Sequence, residues 1–315
     1  MRRTAGLVTT AVALVWFALG VSTARAETPL PGKLAGAFVA WGPQGREGNM
    51  ALWEARLNRP LSSVPALDYF GKSTWDSFGE TAFLPAFWKA ANPTRRIVWS
   101  VPLTMKGTPL SDVAAGLHDP EFRQAAIAIA AAQPSAVIRF GWEMNDKQTA
   151  WFAGPDPQAY VAAFRHVVAL FRAVSPRFRF DWCPSWGAQD MAADRAYPGD
   201  DVVDTIGLDV YDYADHNSPE VRWTASVLEA PFGLTWQRDF AQRHGKDMSY
   251  AEWGVGQAGD NLSFVQHMTE WFRQNQAHIA FAIYFDIAGG AWPSQIDDGT
   301  FPRSQALFMR LYALP

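Results

Sequence analysis

Eight short apolar runs punctuate the chain, at 36–41, 66–71, 96–103, 136–143, 179–185, 203–211, 248–253 and 279–286. Their length and their Val, Ile, Phe and Trp content predict buried strands. Between and after them lie longer segments whose apolar positions recur at helical spacing, at 119–132, 157–174, 228–244, 261–276 and 304–312. Asp156-Pro157 reads as an N-cap with proline at the first helical position, and Asp260 and Asn261 offer a cap to the helix after them. The segment between the first two strands is only weakly patterned.

Strands that alternate with helices, mostly without two adjacent strands, predict a single-domain α/β fold of the closed parallel (β/α)8 TIM-barrel kind. The rival architecture is an open doubly wound sheet. That sheet usually carries a glycine-rich phosphate turn after its first strand, and Gly42-Pro43-Gln44-Gly45 does not match G-x-G-x-x-G.

Ahead of the barrel, residues 1–26 change the picture. Arg2 and Arg3, an apolar run and Ala24-Arg25-Ala26 follow the order of a secretory signal peptide, leaving residues 27–315 as the barrel domain. Removing Arg2, Arg3 and Arg25 leaves 24 basic against 31 acidic residues, a net charge of −7. That balance argues against a nucleic-acid partner or an anionic membrane surface. The expectation is a secreted or periplasmic monomer, free of the membrane once the signal is removed. Cys183 is the only cysteine, so no internal disulfide forms, and 49% hydrophobic residues must supply the stability. The 15 tryptophans exceed ordinary need, and large aromatic faces suit sugar rings as well as cores.

In a barrel, chemistry collects where strands end at the C-terminal mouth. The fourth run ends Arg139-Phe140-Gly141-Trp142-Glu143-Met144-Asn145, and the seventh ends Tyr250-Ala251-Glu252-Trp253-Gly254. Each closes an apolar run with a carboxylate, which is costly to bury without partners or a task. A helix cap or a salt bridge would explain one such Glu; two, each flanked by Trp, point to a pair that works together. Strand alternation puts Arg139, Gly141 and Glu143 on one face, and Met248, Tyr250 and Glu252 on one face.

These residues, with Trp151 and with Gly207-Leu208-Asp209-Val210-Tyr211, resemble glycoside hydrolase family 26, the β-mannanases within the clan of retaining barrel glycosidases. The resemblance implies Glu143 as general acid/base and Glu252 as nucleophile, on a polysaccharide or oligosaccharide and without a cofactor. It also implies an endo-β-1,4-mannanase-like activity. Retaining chemistry needs two carboxyls about 5–5.5 Å apart, one protonated and one ionised. Trp142 and Met144 give Glu143 an apolar setting, while Arg139 and Tyr211 are candidate partners for Glu252 and Asp209 for Arg139. One departure stands out: family members usually carry histidine where this chain has Trp142, which bears on sugar specificity.

Asn145, Trp142, Trp151, Trp253 and Trp292 complete the expected substrate-binding or supporting set, with Trp41 and Trp186 also at strand ends. Trp53, Trp88, Trp236 and Trp271 fall within helical segments and are expected in the core. The six histidines form no H-E-x-x-H and no i, i+4 pair, so no metal site is expected; His216 alone sits in a mouth loop. No G-x-S-x-G occurs, and Cys183 lacks a base nearby in sequence, which argues against acyl transfer. Two alternatives remain: the same chemistry on another β-glycan or a bacterial exopolysaccharide, and a non-catalytic carbohydrate-binding barrel.

Overall fold

The computed structural model describes residues 28–39, 44–216, 218–289 and 293–315. The expected signal segment 1–26 lies outside them, as do Trp41 and Trp292. Eight parallel barrel strands are present: β1 Gly36–Val39, β2 Ala66–Tyr69, β3 Ile97–Val101, β4 Val137–Phe140 and β5 Arg179–Trp182. There follow β6, in two pieces Thr205–Gly207 and Val210–Tyr211, then β7 Asp247–Gly254 and β8 Ile279–Asp286. Each pairs with its neighbour in chain order, β8 returns to β1, and Thr205–Gly207 pairs with both β5 and β7, so the barrel closes. This is the (β/α)8 architecture that the alternating pattern predicts.

The helices Asp119–Ala132 and Pro157–Val174 coincide with their expected ranges. Asp156 caps the second by accepting from the N–H groups of Gln158 and Ala159. The weakly patterned segment is also a helix, Gly45–Arg56. Its buried face carries Glu54 beside Met50 and Trp53, and Glu54 pairs with buried Arg95 at 2.8 Å. A carboxylate on the apolar stripe is what hides the period.

Two expectations are corrected. The segment 228–244 is not one helix: a π-helical turn, Arg222–Leu228, ends at its first residue and Leu234–Arg243 begins after a break. Pro231 lacks an amide to continue the ladder, and Phe232 (φ 59°) turns the chain before Gly233. Asp260 does not cap Leu262–Asn275, nor does the side chain of Asn261. Asp260 instead accepts from the backbone N–H groups of Arg303 and Ser304 and caps the last helix, Pro302–Tyr312. An isolated sequence cannot reveal a cap supplied across tertiary space.

The core lies mainly between strands and helices. Phe140 packs on Phe164 and Phe171, Trp182 on Phe240, and Trp253 on Phe272 and Tyr284. Trp53, Trp88 and Trp271 are buried in this layer and Trp236 is half-buried against Phe240. Among the described residues no helix is long and apolar enough to cross a membrane.

Candidate active site

β4 stops being a strand at Phe140. Gly141 (φ 47°) and Glu143 (φ 54°) both take left-handed backbone conformations. At Gly141 a Cβ would stand 2.8 Å from the Leu103 Cβ, so space and dihedral both require glycine. At Glu143 the same conformation is strained for a side-chain-bearing residue, and such strain gathers at functional sites. Three bonds hold the bend. The Glu143 N–H donates to the Cys183 carbonyl at 2.7 Å, and the Asn145 amide clasps the Ser185 backbone, donating to its carbonyl and accepting from its N–H. Asn145 is thus a brace between β4 and β5.

The Glu143 side chain is half-buried and reaches the mouth, where it lines the same cavity as Ser185. Burial, and then the nearby Glu252 charge, push its carboxyl up from 4.5 to about 8. Burying a carboxylate beside another without a counter-charge of its own favours the protonated form.

β7 delivers Glu252 differently. Its register against β8 shifts between Tyr250 and Trp253, the mark of a bulge. Tyr250 therefore points outward, packing on Phe272 and accepting from the Trp271 indole, while Glu252 points into the mouth. This corrects the expectation that Met248, Tyr250 and Glu252 share a face, since an extra residue resets the alternation.

Glu252 accepts three side-chain hydrogen bonds. Arg139 Nη2 (2.7 Å) and the Tyr69 hydroxyl (3.0 Å) reach Oε1, and the Tyr211 hydroxyl (2.9 Å) reaches Oε2. Arg139 Nη2 also donates to Asp209 Oδ2 at 2.8 Å. Asp209 Oδ1 in turn accepts from the Glu252 N–H and from the Cys183 thiol. Burial opposes the guanidinium charge, but Asp209 and Glu252 outweigh it, and the net effect raises Arg139 well above its ordinary value. Burial and Glu252 raise both phenols well above theirs, so Tyr69 and Tyr211 remain protonated donors. Burial and Asp209 raise the Cys183 thiol likewise, which removes it as a nucleophile.

Beside the pair opens a cavity of about 730 Å³. Glu143, Glu252, Tyr211 and Ser185 line it together with Trp186, Tyr213, Phe285 and Ile287, and Asp146, Asp215 and His216 add polar groups. An aromatic wall with convergent polar groups is the general form of a small-ligand site.

Of the residues singled out on sequence, Arg139, Glu143, Asp209, Tyr211 and Glu252 meet at this mouth. Trp142 lies next to them without lining the cavity: its ring packs on Tyr69 at 5.4 Å, and the Arg139 guanidinium stands 5.0 Å from its centre. Trp151 packs on Trp142 and its indole N–H donates to the Trp142 carbonyl, so it buttresses the bend and does not line the cavity. Trp253 is a correction. One step along the strand from Glu252, it faces the opposite way, into the layer of Phe272, Tyr284, Phe308 and Tyr312. Sequence reading missed Tyr69, the last residue of β2, whose hydroxyl reaches Glu252 across the barrel. Phe285 and Tyr213 were missed as well.

No protein-family model matches this chain, and no curated protein sequence matches it. Solved structures do share its fold. An endo-β-1,4-mannanase double mutant from Cellulomonas fimi superposes with a TM-score of 0.57 at 18% identity, over 76% of this chain and 59% of that one. This chain therefore spans under two thirds of that enzyme. The mannanase man26 of Bacillus subtilis gives 0.58 at 14% identity, over 90% and 87% of the two chains. The catalytic domain of a glycoside hydrolase family 26 endo-β-1,4-mannanase from Bacillus sp. JAMB-750 gives 0.53 at 17%, over 80% and 78%. At such identities the likeness is one of fold.

Proposed function

We propose that this chain is a retaining β-glycoside hydrolase acting on a polysaccharide, of endo-β-1,4-mannanase type and related to glycoside hydrolase family 26. The observation that carries the reading is the unequal pair at one cavity: Glu143 with its carboxyl raised to about 8, and Glu252 accepting three hydrogen bonds. The mannanases of like fold support it. Glu143 gives its proton to the leaving glycosidic oxygen while Glu252 attacks the anomeric carbon. Water then enters on the same face, loses a proton to Glu143 and releases Glu252. Arg139, with Asp209, holds the nucleophile in place, and Trp186, Tyr213 and Phe285 offer faces to sugar rings.

A second reading keeps the chemistry and changes the glycan. It rests on Trp142, whose ring is engaged by Tyr69, Trp151 and Arg139, so it offers its relatives' histidine contacts to no sugar hydroxyl. The residues 1–26 support export to the periplasm or the medium, and we take the working unit to be a monomer. A hydrolysis screen over mannan, other β-glycans and bacterial exopolysaccharides, read by reducing-sugar release, tests both. Mannan turnover favours the first reading, and turnover only of another polymer favours the second. Binding without hydrolysis of any polymer would make the chain a carbohydrate-binding barrel and overturn both.

A further inference from the structure

The bonding of Glu252 distinguishes its two oxygens. A carboxylate oxygen offers two in-plane lone pairs. Oε1 has both engaged, one by Arg139 at 2.7 Å and the other by Tyr69 at 3.0 Å. Oε2 has one engaged, by Tyr211 at 2.9 Å, and Tyr211 and Glu252 line the cavity while Arg139 and Tyr69 do not. Tyr69 is itself fixed: Phe38 meets its ring edge-on at 5.3 Å, Trp142 packs at 5.4 Å, and Lys72 lies over its face at 4.6 Å.

We propose that Oε2 is the attacking atom of Glu252, and that Tyr69 is a positioning residue that anchors Oε1 together with Arg139. The assignment rests on the glycosidase reading above. In the first step an Oε2 lone pair forms the bond to the anomeric carbon. The bond from that carbon to the leaving oxygen breaks, its electron pair goes to that oxygen, and the Glu143 proton follows. In the second step water bonds to the anomeric carbon and Glu143 takes its proton. The carbon–Oε2 bond breaks, and its electron pair returns to the carboxylate, where Oε1 shares the charge.

The two steps treat Tyr69 oppositely. The first consumes the carboxylate charge, so a donor on Oε1 stabilises the resting enzyme at least as well as the transition state. The second regenerates that charge, so the same donor stabilises the transition state above the ester intermediate. Tyr69 therefore serves chiefly to release Glu252.

Tyr69→Phe keeps the packed ring and deletes only the hydroxyl. Its kinetics on 2,4-dinitrophenyl β-glycosides of one to three sugars test the assignment, because these leaving groups make the second step limiting. We expect kcat to fall about tenfold or more, the scale of one hydrogen bond to a charged group. KM should fall with it, kcat/KM should stay near the wild-type value, and a dinitrophenolate burst should mark the accumulating intermediate. A parallel fall in kcat and kcat/KM without a burst would reduce Tyr69 to packing and overturn the proposal. The burst pattern in Tyr211→Phe and not in Tyr69→Phe would move the attack to Oε1. Wild-type enzyme that turns over no glycoside in the panel would overturn the glycosidase reading itself, and is told apart because the failure appears before any substitution.

Discussion

The ends of β4 and β7 each present a glutamate to the same mouth by contrary means. At β4 the strand has already stopped; two left-handed residues throw Glu143 into the cavity, where burial and the Glu252 charge raise its carboxyl to about 8. At β7 the strand continues through a bulge, and Glu252 arrives with a guanidinium and two phenols bonded to it. One end lacks a bonded cation and keeps a proton, while the other supplies three donors that fix its carboxyl in place. Two chemically identical side chains meet different surroundings because their backbones differ, which is the asymmetry that the proposed acid and nucleophile roles rest on.

The largest effect should come from removing either partner. Glu252→Ala and Glu143→Ala are expected to bring turnover of the natural glycan to background with the fold intact by circular dichroism. Azide with an activated glycoside then separates the roles: the retained glycosyl azide from Glu143→Ala, the inverted one from Glu252→Ala. The opposite stereochemistry in each would exchange the two assignments.

Next comes Arg139, the cation that β4 sends across to bond Glu252. Arg139→Met leaves Asp209 and Glu252 buried together without it, and breaking a buried pair costs about 3–5 kcal/mol. Chemical denaturation should report that loss. A change below about 1 kcal/mol would show that the guanidinium is dispensable to the fold.

The acid at the β4 end sets a smaller, pH-dependent effect. With Glu143 raised from 4.5 to about 8, kcat/KM should decline as pH rises through about 8, when the acid loses its proton. Stability should follow the same sign: the contribution of a raised carboxyl is full below about 4.5 and is lost as pH rises through about 8. Glu143→Gln cannot ionise, so its melting temperature should exceed that of the wild type by a margin that opens between pH 5 and pH 9. Parallel melting profiles for the two proteins would contradict a buried, proton-bearing Glu143.

The smallest effect belongs to Trp142, which packs on Tyr69, Trp151 and Arg139. Trp142→Phe should cost about 1–2 kcal/mol of stability, within the range for trimming a buried ring. The order of preferred glycans should stay the same. A reordered preference would mean that the indole reaches substrate.

Much of this was legible in the residues. The alternating runs gave the barrel, carboxylates closing apolar runs marked Glu143 and Glu252, and the family resemblance added Asp209 and Tyr211, with Arg139 as a candidate partner. Asp156-Pro157 announced its helix because a cap and its helix are adjacent in sequence. Tyr69 escaped because nothing within β2 says that its hydroxyl crosses the barrel to a residue 183 positions away. Trp253 misled because adjacency to Glu252 in sequence says nothing about which side of the sheet a neighbour faces.

What the sequence determined by itself is therefore what local spacing encodes: strand and helix periods, the closed parallel order, and the carboxylates at strand ends. What only the tertiary structure decided is direction and partnership. The bulge in β7 and the left-handed bend at 141–143 depend on contacts with β8, Leu103 and the β5 end, and these reset the alternation that a sequence reader must assume. Side-chain aim and carboxyl protonation are properties of a neighbourhood assembled from distant strands, and a linear pattern does not carry them.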